Sequence, residues 1–153
     1  MYFSKIKSYA KINLALNITG KTSSLHKIES IVAFVNLFDE ILIKQINSKK
    51  HNVSFSGKFS QNIGKDNTIT KLLKLLDQRN LLNYKKFYIK VNKQIPIKAG
   101  LGGGSMNAAN VLKYFVKKKF IKITKKELLK ISRLIGSDVI LGINPASTVL
   151  TSN

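Results

Sequence analysis

Four of the five residues from Gly100 to Gly104 are glycine, and the segment around them limits the fold more than any other. It reads Pro96-Ile97-Lys98-Ala99-Gly100-Leu101-Gly102-Gly103-Gly104-Ser105-Met106-Asn107-Ala108-Ala109. Ahead of it, Phe87, Ile89 and Val91 alternate with period two, which predicts a strand ending near Pro96. Behind it, Ala108, Val111, Leu112, Phe115 and Val116 recur at helical spacing. A strand, a turn poor in side chains and a helix, in that order, leave N–H groups free at a helix N-terminus with the helix dipole behind them. That is an anion site, and glycine lets a ligand approach the main chain closely. Ser105 adds a hydroxyl able to reach a phosphate oxygen or a Mg²⁺ ion, and Lys98 adds a cation. The segment has neither the Gly-Lys-Ser/Thr of a Walker loop nor the setting of a dinucleotide fingerprint. At this level a purely structural turn competes with phosphate binding.

The remaining pattern predicts strands early and helices late. From Ala10 to Ile18 the chain alternates, with Ile12, Leu14, Leu16 and Ile18 on one side and Lys11, Asn13, Ala15 and Asn17 on the other. A polar loop is expected from Thr19 to Ser24. Ile28 to Leu37 and Ile41 to Ile43 read as two strands around a turn at Asp39-Glu40, and Val53 and Phe55 as a further strand. Asp66 is the expected N-cap of a helix whose stripe is Ile69, Leu72, Leu73 and Leu76. Thr124 and Glu127 form a capping box ahead of Leu128, Leu129, Ile131 and Leu134, with Gly136 placed to end that helix. This order fits an α+β domain built in layers, and 153 residues are enough for one.

Composition narrows the function classes. The chain has 27 basic against 7 acidic residues, a formal net charge of +20, which attracts polyanions of any kind. Only Arg79 and Arg133 are arginine, whereas base reading favours bidentate arginine, so nucleic acid is not an expected partner. Abundant Lys, Asn and Ile fit codon drift in an AT-rich genome, and Lys117-Lys118-Lys119 and Lys125-Lys126 sit at predicted helix ends where lysines are solvated. Cysteine is absent, so disulfides and thiolate metal sites are excluded; His26 and His51 show no zinc spacing. The N-terminus lacks a secretory pattern and no run is long enough to span a membrane, so a cytoplasmic location is expected.

Several segments line up in order with one family. Pro96 to Ala109 resembles the glycine-rich phosphate motif of the GHMP kinases. Its Gly-Leu-Gly-Gly-Gly-Ser followed by Asn-Ala-Ala is similar to the branch that phosphorylates 4-diphosphocytidyl-2-C-methyl-D-erythritol for isoprenoid synthesis. Ala10-Lys11-Ile12-Asn13-Leu14-Ala15-Leu16, with Thr19-Gly20 after it, resembles that branch's opening strand. Asp66-Asn67 resembles its pair before a helix, and Ile135-Gly136-Ser137-Asp138-Val139 the segment of its catalytic aspartate.

The resemblance implies the family's N-terminal domain over residues 1–153, a layered mixed sheet with packed helices of the ribosomal-protein-like βαβ type. It implies a kinase using ATP and Mg²⁺, with Asp138 as the base and Lys11 beside it. Pro96, Gly100, Leu101, Gly102, Gly103, Gly104 and Ser105 would hold the ATP phosphates, with Ser105 able to reach Mg²⁺. Asn13 and His26 would face the substrate. Taken alone, Lys11 is also an ordinary outward residue of a strand and Asp138 a helix cap. Lys98, Ala99 and Met106 stand where the family carries two glycines and a second serine, Ser24-Leu25-His26 where it has Gly-Tyr-His, and Ile140 where it has a proline. The family's second domain is expected to be absent from these residues, leaving two expectations: a kinase impaired by truncation, or a non-catalytic remnant that retains nucleotide binding at most. The expected protein partners are a separately encoded C-terminal half or, through the uncovered surface, a second copy of the chain.

Overall fold

A hairpin of two long antiparallel strands, β1 (Ser4–Lys21) and β2 (His26–Ile46), opens the chain in this computed structural model. The structure describes residues 2–21, 26–143 and 149–151, with side chains over 2–15 and 31–143. β1 is longer than the predicted Ala10–Ile18 and takes in Thr19 to Lys21, part of the expected loop; Thr22 to Leu25 lie outside the described residues.

Two expectations about this hairpin are corrected. Asp39-Glu40 is not a turn, because β2 runs unbroken through it. The side chain of Asp39 is fully buried, and its four hydrogen-bond donors supply what a turn's solvent would have. The predicted facing of the first strand is also wrong at its middle. Lys11 is 5% exposed, whereas Leu14 is 63% exposed. The pairing register shifts between Tyr9 and Lys11 and again between Asn13 and Ala15, so strict alternation fails there and consecutive Ala10 and Lys11 both turn inward.

β3 (Asn52–Ser56) lies parallel to β4 (Lys86–Asn92), and β4 lies antiparallel to β2. The sheet order is β1-β2-β4-β3, while a short β5 (Val149–Thr151), which sequence reasoning did not predict, pairs with β2 at Glu29–Ile31. The parallel pair needs a crossover, supplied by α1 (Thr68–Gln78). Asn67, not Asp66, caps this helix: its side chain accepts from the N–H groups of Ile69 and Thr70, and the Thr70 hydroxyl accepts from Asn67 N–H.

Three helices follow: α2 (Gly103–Lys117), α3 (Lys125–Ile135) and the short α4 (Val139–Ile143). The predicted capping box of Thr124 and Glu127 opens α3, and Gly136 ends it in extended rather than left-handed conformation. The Leu72, Leu73 and Leu76 stripe of α1 and the Ala108, Val111, Leu112 and Phe115 stripe of α2 bury against Ile41, Ile43, Phe87, Ile89 and Val91 of the sheet. Phe87 meets Phe115 and Phe120 with ring centroids 4.6 and 4.9 Å apart. The result is the predicted α+β layering, with the glycine-rich turn held between β4 and α2. Among the described residues no helix is long and apolar enough to cross a membrane.

Candidate active site

Both stems of the glycine-rich turn are fixed from below by one carboxylate. Asp39 Oδ1 accepts from the N–H groups of Gln94 (2.7 Å) and Ile95 (2.9 Å), just after β4. Asp39 Oδ2 accepts from Lys93 Nζ and, at 2.8 Å, from Asn107 Nδ2 in the second turn of α2. Asp39 is 0%, Lys93 3% and Asn107 2% exposed, so this cluster is shut off from water. At the far stem, Gly102 caps α2 in the left-handed conformation (φ 68°) with no side chain on the first-turn N–H groups. A Cβ at Gly102 would meet Lys11 Cγ at 2.8 Å, so both conformation and space require glycine there.

Lys11 therefore packs its stem on the turn while its N–H donates to Leu101 O at 3.0 Å. Its ammonium reaches Asp138 Oδ2 at 3.3 Å and donates to Asn13 Oδ1 at 3.2 Å. Asp138 stands between the end of α3 and the start of α4, with a side chain 35% exposed. A buried cation thus faces a carboxylate that still has access to a ligand. Such a pair holds the carboxylate in one orientation and leaves it able to take up a proton from a bound hydroxyl.

These groups share a cavity of about 650 Å³. Lys11, Asn13, Pro96, Gly100, Leu101, Gly102, Gly103, Gly104, Ser105 and Asp138, all singled out from the sequence, line it together. His26 begins β2 opposite Lys21, and its side chain lies outside the described residues. The lining also includes Phe55, Ile63, Thr68, Lys93 and Asn107, which sequence reasoning did not single out. Phe55 and Ile63 make an apolar wall. The Thr68 hydroxyl donates to Gly104 O at 2.7 Å and ties the first turn of α1 to that of α2. Two helix N-termini therefore border the cavity, each presenting positive partial charge. Asn107 had a local signal in its Asn-Ala-Ala setting, whereas Lys93 and Asp39 had none, because their meaning lies in a contact between residues far apart in the chain. Among the described residues no group of three His, Asp or Glu side chains converges as a metal cage.

Comparison with known proteins matches residues 67–150 to the family described as the GHMP kinases N terminal domain. A 4-diphosphocytidyl-2-C-methyl-D-erythritol kinase of Pelagibacter ubique (strain HTCC1062) is 62% identical over 149 residues, covering 97% of this chain and 53% of that protein. A kinase of the same name from Anaplasma marginale (strain Florida) is 38% identical over 137 residues, covering 88% of this chain and 46% of its own length. The chain thus spans about half the length of the curated relatives it matches. Among solved structures, a 4-(cytidine 5'-diphospho)-2C-methyl-D-erythritol kinase superposes with a TM-score of 0.80 at 24% identity, covering 97% of this chain and 52% of that one. A mevalonate kinase superposes with a TM-score of 0.62 at 16% identity, covering 95% and 48%. At those identities the two superpositions speak for the fold.

Proposed function

Because the chain belongs to the GHMP kinases and carries their N-terminal domain, we propose that it is the phosphate-binding half of a kinase for 4-diphosphocytidyl-2-C-methyl-D-erythritol. The observation that supports this most directly is the Lys11–Asp138 pair facing the same cavity as the glycine-rich turn. The relatives' printed names supply the substrate, and the reaction would serve isoprenoid synthesis.

In this reading the 2-hydroxyl oxygen of the substrate attacks the γ-phosphorus of ATP, the bond to the β-phosphate oxygen breaks, and ADP leaves. Asp138 accepts the hydroxyl proton as the new P–O bond forms; a carboxylate is too weak a base to remove it beforehand. Lys11 orients that carboxylate and offsets negative charge developing beside it. The N–H groups of the turn from Gly100 to Ser105, at the start of α2, hold the phosphate chain. Asn13 and His26 take the substrate end. Ser105 offers a hard oxygen donor that Mg²⁺ accepts alongside phosphate oxygens, and it lines the cavity. A Mg²⁺ held there would neutralise phosphate charge. The second domain of the family supplies the opposite wall of such a cleft, and a cytoplasmic location goes with this reading.

The test is turnover of the substrate with Mg²⁺ and ATP, using the chain alone and mixed with the C-terminal half of the Pelagibacter relative. Asp138→Asn is expected to lower the rate by about 10²–10⁴-fold, with ATP affinity changed little. ATP binding without turnover in either preparation would leave a nucleotide-binding domain and overturn the kinase assignment.

A further inference from the structure

The ionisable side chains lining the cavity are Lys11, Lys93, Lys98 and Asp138. Lys11 is matched by Asp138, and Lys93 by the buried Asp39. Lys98 makes no hydrogen bond or ion pair among the described residues, so the unmatched positive charge on this wall is its own. Its backbone is unusual too. Lys98 has φ 56°, in the left-handed region, where the Cβ of an L-residue crowds the main chain. Gly100 (φ 72°) and Gly102 (φ 68°) enter the same region in the same turn with no Cβ to crowd. A lysine thus holds a conformation that glycine would take without strain, in a turn that already uses glycine for this purpose, and its ammonium pairs with none of the described residues.

We propose that Lys98 is a binding residue for the phosphate chain of the nucleotide, its ammonium pairing with phosphate oxygens held over the glycine-rich turn; this rests on the nucleotide-binding reading above. The position fits the role. Lys98 is exposed on the cavity wall, just before the N–H groups that open α2, so its charge adds to theirs on the same ligand. A solvated ammonium on a flexible stem suits a mobile phosphate better than a fixed carboxylate. Asn62, Asn80, Asn83, Tyr84 and Lys119 share the left-handed region away from this cavity, so it is the unmatched charge on the cavity wall, with the backbone strain beside it, that points to a ligand.

The test separates charge from backbone by their opposite signs. Lys98→Gly relieves the crowding and removes the cation. Its Tm is expected to rise by about 2 °C, while its Kd for ATP, measured by titration calorimetry, weakens about 5-fold. Adenosine, which has no phosphate, should bind Lys98→Gly as it binds the wild type. Lys98→Arg should stay within about 2-fold of the wild type for ATP, and the effect of Lys98→Gly should shrink as salt is raised. An unchanged ATP affinity in Lys98→Gly overturns this inference alone, as does an equal loss for adenosine, which marks a structural part in the turn. Absence of ATP binding by the wild-type chain overturns the nucleotide reading along with it.

Discussion

Replacing Asp39 by Asn is the most severe small change this structure predicts. The two side chains have nearly the same shape, so no cavity forms and the effect is one of charge and hydrogen bonding. The carboxylate accepts from four donors: Lys93 Nζ, Asn107 Nδ2 and the N–H groups of Gln94 and Ile95. An amide keeps one acceptor oxygen and presents an NH₂ where the other oxygen stood, so at least one donor pair is opposed by another donor. Lys93, 3% exposed, loses its counter-ion without gaining water. Removing one partner of a buried ion pair costs about 3–5 kcal/mol, a large part of the ~5–15 kcal/mol that holds a typical domain together. A loss near 4 kcal/mol is therefore expected, read as a lower urea midpoint by circular dichroism with an unchanged slope. Adding Lys93→Met removes the stranded charge, and the double variant should regain roughly half of the loss. A cost below about 1 kcal/mol, or a double variant no more stable than Asp39→Asn, would falsify the account of this cluster as a desolvated, charge-paired anchor.

Two further stability tests probe other parts of the fold. His51 Nδ1 accepts from Phe87 N–H at 3.1 Å, and burial lowers the pKa of His51 below its usual 6.5 despite nearby Asp77. Above that pH the imidazole is neutral folded or unfolded; below it the unfolded chain takes up the proton first, so stability should fall on acidification by no more than about 1.4 kcal/mol per pH unit. His51→Gln should lose this component between pH 7.5 and 5.5, and an identical pH slope in both proteins would count against it. Gly142 packs so closely that an added Cβ would lie 2.5 Å from Ala109 Cβ and 3.1 Å from Met106 Sδ. Gly142→Ala should therefore cost about 1–3 kcal/mol, or roughly 2–10 °C in Tm by calorimetry; an unshifted Tm would mean that α2 and α4 part easily.

The three longer helices were legible because their signal is local, whereas the short α4 was not predicted. The stripes Ile69–Leu76 and Ala108–Phe115 bury one face at the helical period, and the Thr124–Glu127 box is complete within four residues. The choice between Asp66 and Asn67 as a cap was less legible. Both have a capping side chain, and what selected Asn67 was its N–H pairing with the Thr70 hydroxyl. Around Lys11, alternation misled because bulges in a long hairpin shift the register, and nothing in a single strand announces where its partner slips. Asp39 misled more, since an acidic pair between apolar runs is ordinarily a turn, whereas here its donors come from the segment just after β4 and from α2.

By itself, then, the sequence determined the glycine-rich turn and its setting between strand and helix, because the conformational freedom of glycine and the start of a helix are properties of adjacent residues. It also carried the family resemblance of Lys11 and Asp138, each in its own segment. Only the tertiary structure decided that Lys11 turns inward to meet Asp138, that one buried carboxylate holds both stems of the turn, and that Lys98 stands unmatched beside it. Those outcomes depend on which strands pair and in what register, and on which charges are left to find one another once water is excluded.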